Sequence, residues 1–287
     1  MIDALVLAGG GVAGIAWELG VLRGIADEDP RLADRLIAAD IVVGTSAGSA
    51  VAAQITSGTP LAELYDAQLS PSSAELEVEL DIEDFVRRMT EAVQGAADDG
   101  EKPDPVEMRR RIGAMALATP TVAEDVRLAS VAVRLPRPEW PPRTLLIPAV
   151  DAATGEVVVF TRESGVELLD AVTASCAVPG VWPPVTIGER RFVDGGVRSA
   201  TNADLAHGAD RIVVVTPTLE GGPSLLGDLD AEIGILRPGE TYVVWADQPS
   251  IEAFGTNPLS PATRGPAARA GRTVGRERAK AVRAFFN

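Results

Sequence analysis

The chain has 287 residues, 46% of them hydrophobic and only 4% aromatic, enough to bury the core of one large α/β domain or two smaller ones. Its formal net charge of −15 repels a phosphate backbone and excludes nucleic acid as an expected partner. One cysteine, Cys176, and one histidine, His207, exclude an internal disulfide and any multi-cysteine or histidine-based metal site, so neither metal nor cofactor is expected.

The first residues carry no basic leader, and no uncharged apolar run approaches about 18 residues; a reducing, cytoplasmic setting is expected. DALVL (3–7) reads as a buried parallel strand ended by glycines. Val12, Ile15, Ala16, Leu19, Leu22 and Ile25 then recur at helical spacing. A second cycle follows, IVVG (41–44), the turn GTSAGS and a small-residue helix to about Ser57.

From Pro60 to Pro142, acidic, helix-leaning segments broken by Gly95, DDGEKPDP and Pro120 read as a helical cap inserted in the fold. RTLLIPAVDAATGEVVVF reads as two strands joined at Gly155, followed by a short helix (166–174) and the strand RRFV, which ends at Asp194. TNADLAHGAD reads as a helix closing near Gly208, RIVVVT and TYVVWA as strands, and residues from Pro261 onward as helical despite Gly265, Gly271 and Gly275. Charge is uneven: residues 60–107 are rich in Asp and Glu, and residues 264–283 hold seven basic side chains against Glu277. Both runs read as solvated helix faces. The expected architecture is one α/β domain, residues 1–287, with residues 60–142 as its cap.

LAGGGVAG matches the spacing of a dinucleotide loop at Gly9, Gly11 and Gly14, but that site needs an acid at the end of the second strand. Here that strand ends in Gly44, Thr45 and Ser46, while Asp27 and Glu28 fall at a helix end and Asp40 precedes the strand. A phosphate loop is excluded too, because no Gly-Lys-Ser/Thr follows the glycines.

Gly44-Thr45-Ser46-Ala47-Gly48 fits G-x-S-x-G between a strand and a helix, the setting in which a tight turn pushes a serine hydroxyl outward as a nucleophile. The plain alternative is a glycine turn with Ser46 as a helix cap. A nucleophilic serine needs a base. His207 precedes the strand RIVVV and should lie at the amino edge of the sheet, away from Ser46. Asp194 closes the strand RRFV before Gly195 and Gly196, which would place its carboxylate at the carboxyl edge with Ser46, where burial could raise its pKa into a useful range. An Asp-Gly turn is the plain reading of that residue.

In this order GGGVAG, GTSAG and DGG resemble the patatin-like phospholipase family of serine lipid acyl hydrolases, and PAVDAATGEVVVF, AVTASCAVPGVWPPV, RRFVDGGVRSATNADLA and GADRIVVV extend the likeness. The resemblance implies a three-layer α/β sandwich with a mostly parallel central sheet. It also implies a Ser46/Asp194 dyad without histidine, backbone amides of Gly10, Gly11 and Val12 as an oxyanion hole, and an acyl-enzyme that water hydrolyses. The partners it implies are a lipid or ester substrate and a transient contact with a membrane surface. Members usually carry Arg or Lys before the last glycine of the first motif, where this chain has Ala13. Cys176 reads as a small buried residue, and Trp182 as part of either an acyl channel or a packed loop. An acyltransferase using the same acyl-enzyme and a lipid-binding protein with an idle site remain as alternatives.

Overall fold

The computed structural model describes residues 1–71, 75–78, 80–94, 104–222 and 226–287. Strand β1 (Asp3–Leu7) feeds α1 (Gly11–Glu28); α2 (Pro30–Ile37) and β2 (Ile41–Gly44) follow, and β2 turns into α3 (Ala47–Thr56). Next come α4 (Leu61–Leu69), α5 (Ile82–Gln94), α6 (Pro105–Ala118) and α7 (Glu124–Ala132). The antiparallel pair β3 (Thr144–Asp151) and β4 (Val157–Phe160) precedes α8 (Leu168–Ser175), β5 (Val185–Ile187) and β6 (Arg190–Asp194). The chain continues through β7 (Arg211–Leu219), α9 (Leu229–Ile235), β8 (Glu240–Ala246), α10 (Gln248–Phe254) and α11 (Arg264–Phe285). Of the breaks expected in the acidic region, Pro120 follows the end of α6, whereas Gly95 and DDGEKP lie outside the described residues.

The strands form one sheet in the order β5-β6-β3-β2-β1-β7-β8, with β4 paired to β3. β3, β2, β1, β7 and β8 run parallel, and β4, β5 and β6 are antiparallel. The sheet is thus mostly parallel, as expected: the parallel strands run from β3 out to the edge strand β8, and the antiparallel strands gather at the other end.

Alternation along the central strands sets two cores. Leu5, Leu7, Val42, Val213 and Val215 face a large cluster covered by α1, α3, α8 and α11. Ala4, Val6, Val43, Ile212 and Val214 face the opposite side, under the turn Ala203–Ala206 and Leu236. On that second face Met89 of α5 and Ile112 and Ala116 of α6 seat on Val150 and Val193. Three layers result, and the helices of residues 60–142 reach both faces, since α4 and α7 pack on α1, α11 and α8 of the first while α5 and α6 seat on the second. Among the described residues no helix is long and apolar enough to cross a membrane.

TNADLAHGAD gives only a 3₁₀ turn (Ala203–Ala206) instead of the expected helix. Asn202 is left-handed, with its carboxamide bonded to the backbone, and Gly208 follows too soon for more than one turn. The basic run of α11 is not a freely solvated face either, because Arg272, Arg276 and Arg283 pair with Asp27, Glu28 and Asp29 at 2.6, 3.0 and 2.8 Å.

The glycines of α11 make that approach to α1 possible. A Cβ on Gly271 or Gly275 would meet the Trp17 or Val21 carbonyl at 2.1 Å, and one on Gly20 or Gly24 would meet the Ala268 or Arg272 carbonyl at 2.3 or 2.1 Å. The two helices therefore touch backbone to backbone. Gly271→Val should destabilise the protein by about 3 kcal/mol or more in urea unfolding, through overpacking. Gly265→Ala, where the nearest atoms belong to the mobile end of Arg269, should cost little in the same measurement.

Candidate active site

Ser46 closes the turn between β2 and α3 with φ 51° and ψ −116°, a left-handed conformation that costs a non-glycine residue of order 1–3 kcal/mol. The turn is held from several sides. Ser46 N–H donates to Ser175 Oγ at 3.0 Å, Thr45 N–H donates to the Leu7 carbonyl at 3.0 Å, and Gly48 N–H donates to the Ala8 carbonyl at 2.9 Å. At Gly48 a Cβ would sit 2.0 Å from the Leu7 carbonyl oxygen, so α3 can start against β1 only with glycine there. Ser46 takes the cap position of α3, but its side chain makes no capping bond. The hydroxyl is left for other work, and the plain capping reading fails.

The first glycine loop lies beside it. Gly9 N–H donates to the Ala200 carbonyl at 2.8 Å, and Ala13 N–H donates to the Pro258 carbonyl at 2.9 Å. Gly10 caps α1 with no side-chain bond. Among the described residues the amides of Gly10, Gly11 and Val12 donate to no acceptor. Gly11, Val12 and Ser46 line one small pocket, a cavity of about 20 Å³. Gly14 makes room for Ala47, whose Cβ would lie 3.2 Å from a Cβ at that position. The N-termini of α1 and α3 therefore converge on the pocket uncapped, and both favour negative charge there.

Asp194 reaches the same place by a route different from the expected one. β6 is antiparallel, so the end of this strand does not by itself define the carboxyl edge of the sheet. β3 instead runs past the level at which β2 stops, and Asp194 pairs with Ala149 on that extension. Gly195 then lies on β3, where a Cβ would meet the Pro148 carbonyl at 2.4 Å. Asp194 Oδ1 accepts from Gly196 N–H at 2.7 Å, while the buried Oδ2 accepts no bond of full geometry. The Ser46 hydroxyl still lies close enough to favour the ionised form. Burial outweighs that help and the help of the Gly196 amide and Arg127, and it raises the pKa of Asp194 to about 7.

A buried polar segment joins the three turns. Asn202 donates from Nδ2 to the Ser199 carbonyl at 2.6 Å, to Thr45 Oγ1 at 3.1 Å and to the Gly195 carbonyl at 3.3 Å. Thr45 Oγ1 donates to the Thr201 carbonyl at 3.3 Å, and Ala200 takes the Gly9 amide. Sequence reading missed Asn202, because an Asn in a polar run before a strand looks like any other turn residue.

It also missed Arg127 and Arg134, which line the pocket. Arg134 donates from Nε and Nη2 to the two carboxylate oxygens of Glu75, whereas Arg127 lies over the Trp182 ring, 3.8 Å from its centroid. Trp182 is 3% exposed and is a pocket wall. Cys176 is buried at the floor, where burial raises its pKa and its thiol donates to the Ser46 carbonyl at 3.1 Å. His207 is exposed just before the amino end of β7, across the sheet from Ser46.

The patatin-like phospholipase family model matches residues 5–207. The chain belongs to that family. The match encloses the glycine loop, the Ser46 turn and the Asp194 turn, and it marks this patatin-like chain as a lipid-hydrolysing enzyme. Among solved structures, VipD from Legionella pneumophila is similar at 13% identity and a TM-score of 0.45, over 98% of this chain and 67% of that one. The type III effector ExoU is similar at 15% identity and a TM-score of 0.40, over 98% and 53%, and ExoU in complex with SpcU from Pseudomonas aeruginosa at 18% and 0.35, over 93% and 52%. The patatin-like chain thus spans about half the length of ExoU. No curated protein matches it.

The raised pKa of Asp194 has a thermodynamic consequence. Its folded value lies above the ordinary carboxylate range, so its contribution to stability is complete below about pH 4 and is lost as pH rises through about 7. Asp194→Asn keeps an acceptor for Gly196 and removes the buried charge. The stability of that variant relative to the parent should rise between pH 4 and pH 8 in paired urea titrations.

Proposed function

We propose that this chain hydrolyses carboxylic esters of lipids through an acyl-enzyme on Ser46, with Asp194 as the base. The observation that carries the reading is the meeting of a serine on a strained, uncapped turn with a buried carboxylate whose Oδ2 has no full hydrogen bond. Asp194 draws the proton from Ser46 as Oγ attacks the ester carbonyl, and later returns it to the leaving alcohol. The amides of Gly10, Gly11 and Val12 are the donors for the oxyanion, since their hydrogens are otherwise unused and each such donor typically supplies about 3 kcal/mol. A water deprotonated by Asp194 then releases the acid.

The apolar wall formed by Ile15, Val178 and Leu259 suits an acyl chain. Residues 60–142 are taken as an insertion of a single domain whose α7 closes one side of the pocket. An acyltransferase paired with histidine gains no support from His207, which is exposed beyond the far edge of the sheet.

A fluorophosphonate probe should label the protein, and Ser46→Ala should abolish both labelling and hydrolysis of a short-chain 4-nitrophenyl ester; labelling retained by that variant would refute the assignment. Asp194→Asn should lower kcat about 10³-fold with the fold intact by circular dichroism. Because the base works when ionised, kcat/KM should fall on the acid side of about pH 7, and an acid limb near pH 4 would contradict the role given to Asp194.

A further inference from the structure

Arg127 stands apart from the half-buried arginines among the described residues. It is 2% exposed, yet no carboxylate lies within ion-pair distance of it among the described residues; Nη1 donates to Ser130 Oγ at 3.2 Å and the buried Nε has no acceptor. Arg134, in the same pocket, has its charge met by Glu75, and Arg198 and Arg211 are met by Asp204 and Asp3. The Trp182 ring and the Ser130 hydroxyl offset only part of the cost of burying this guanidinium without a carboxylate partner.

Its position is nevertheless fixed. Glu124, at the start of α7, takes the Thr186 hydroxyl at 2.9 Å and so ties the helix to β5, while Trp182 supports the guanidinium from below. Arg127 lines the same pocket as Ser46, Gly11 and Val12.

We infer that Arg127 is an anion subsite of the Ser46 pocket, which receives the phosphate ester group of a substrate while its acyl ester lies over Ser46. The inference rests on the reading of Ser46 above and names the side chain through which that site selects its substrate. Ala13 leaves the glycine loop without a cation, and Arg127 supplies one from the inserted helices. A guanidinium suits this task, since its planar fork can give two parallel hydrogen bonds to a phosphate, which an ammonium cannot. The charge persists over the working range, because burial and Arg134 lower the pKa of Arg127 only to about 10.

The test separates binding from turnover. In Ser46→Ala protein, hexyl phosphate should quench Trp fluorescence through Trp182 and bind at least tenfold more weakly when Arg127→Met is added, with Arg127→Lys intermediate. Hexanol binding should be indifferent to both changes. Equal hexyl phosphate binding with and without the guanidinium overturns the subsite, as does inorganic phosphate binding as tightly as hexyl phosphate, which would mark a free-phosphate site. In protein with Ser46 intact, Arg127→Met should lose at least tenfold more kcat/KM on a monoacyl glycerophosphate than on the matching monoacylglycerol, and an unchanged ratio also overturns the proposal. If Arg127→Met fails to fold by circular dichroism, Arg127→Lys carries the same comparisons, and a ratio equal to the parent's refutes the fork. If no ester is turned over at all, the reading of Ser46 falls, while the binding measurements still decide the subsite.

Discussion

One carboxamide fixes the relative positions of everything in the pocket. Asn202 is fully buried and spends its Nδ2 on Ser199, Thr45 and Gly195, and so joins the turn that carries the serine to the turn that carries the aspartate. Its neighbour Ala200 holds the glycine loop through Gly9. Glu232 of α9 completes the segment by accepting from Thr201 Oγ1 at 2.6 Å and Ala203 N–H at 2.7 Å. Three loops from distant parts of the chain thus share one satisfied polar network, which is the condition for placing reacting groups to within a fraction of an ångström.

Within that frame the site is electrostatically unbalanced by design of the fold. Two helix N-termini, one buried guanidinium and a carboxylate that burial holds above its ordinary pKa meet in one small pocket, and the first three favour negative charge there. The chain as a whole carries −15. These groups are local to the pocket and run against the acidic charge of the surrounding protein.

The parts legible in the sequence were those that a local rule forces. Gly48 is needed because the helix start lies on a carbonyl, and Ser46 stands out because its glycine-flanked turn has a strand before it and a helix after it. Asp194 was placed at the correct edge for an incomplete reason: strand direction is a property of pairing, and nothing in RRFV says that it runs against β3. Arg127 and Asn202 were invisible because their meaning lies in what they fail or manage to touch. An arginine in an acidic, helical stretch resembles a solvated charge until Trp182 and the pocket close around it, and the basic run of α11 looked solvated until α1 supplied its acids.

The glycine contact between α1 and α11 also sets a timetable. The glycine loop opens α1, yet the groove that seats this helix is completed by residues such as Ala268, 248 positions beyond Gly20. At ribosomal speeds of about 5–20 residues per second, that interval is roughly 12 to 50 s. Throughout it the nascent α1, with its small-residue stripe, has its strand neighbours to pair with but no helix to cover it. The glycine loop is then among the earliest parts of the chain to be made and among the last to acquire its final support, so a growing polypeptide carries the serine turn well before the pocket around it is complete.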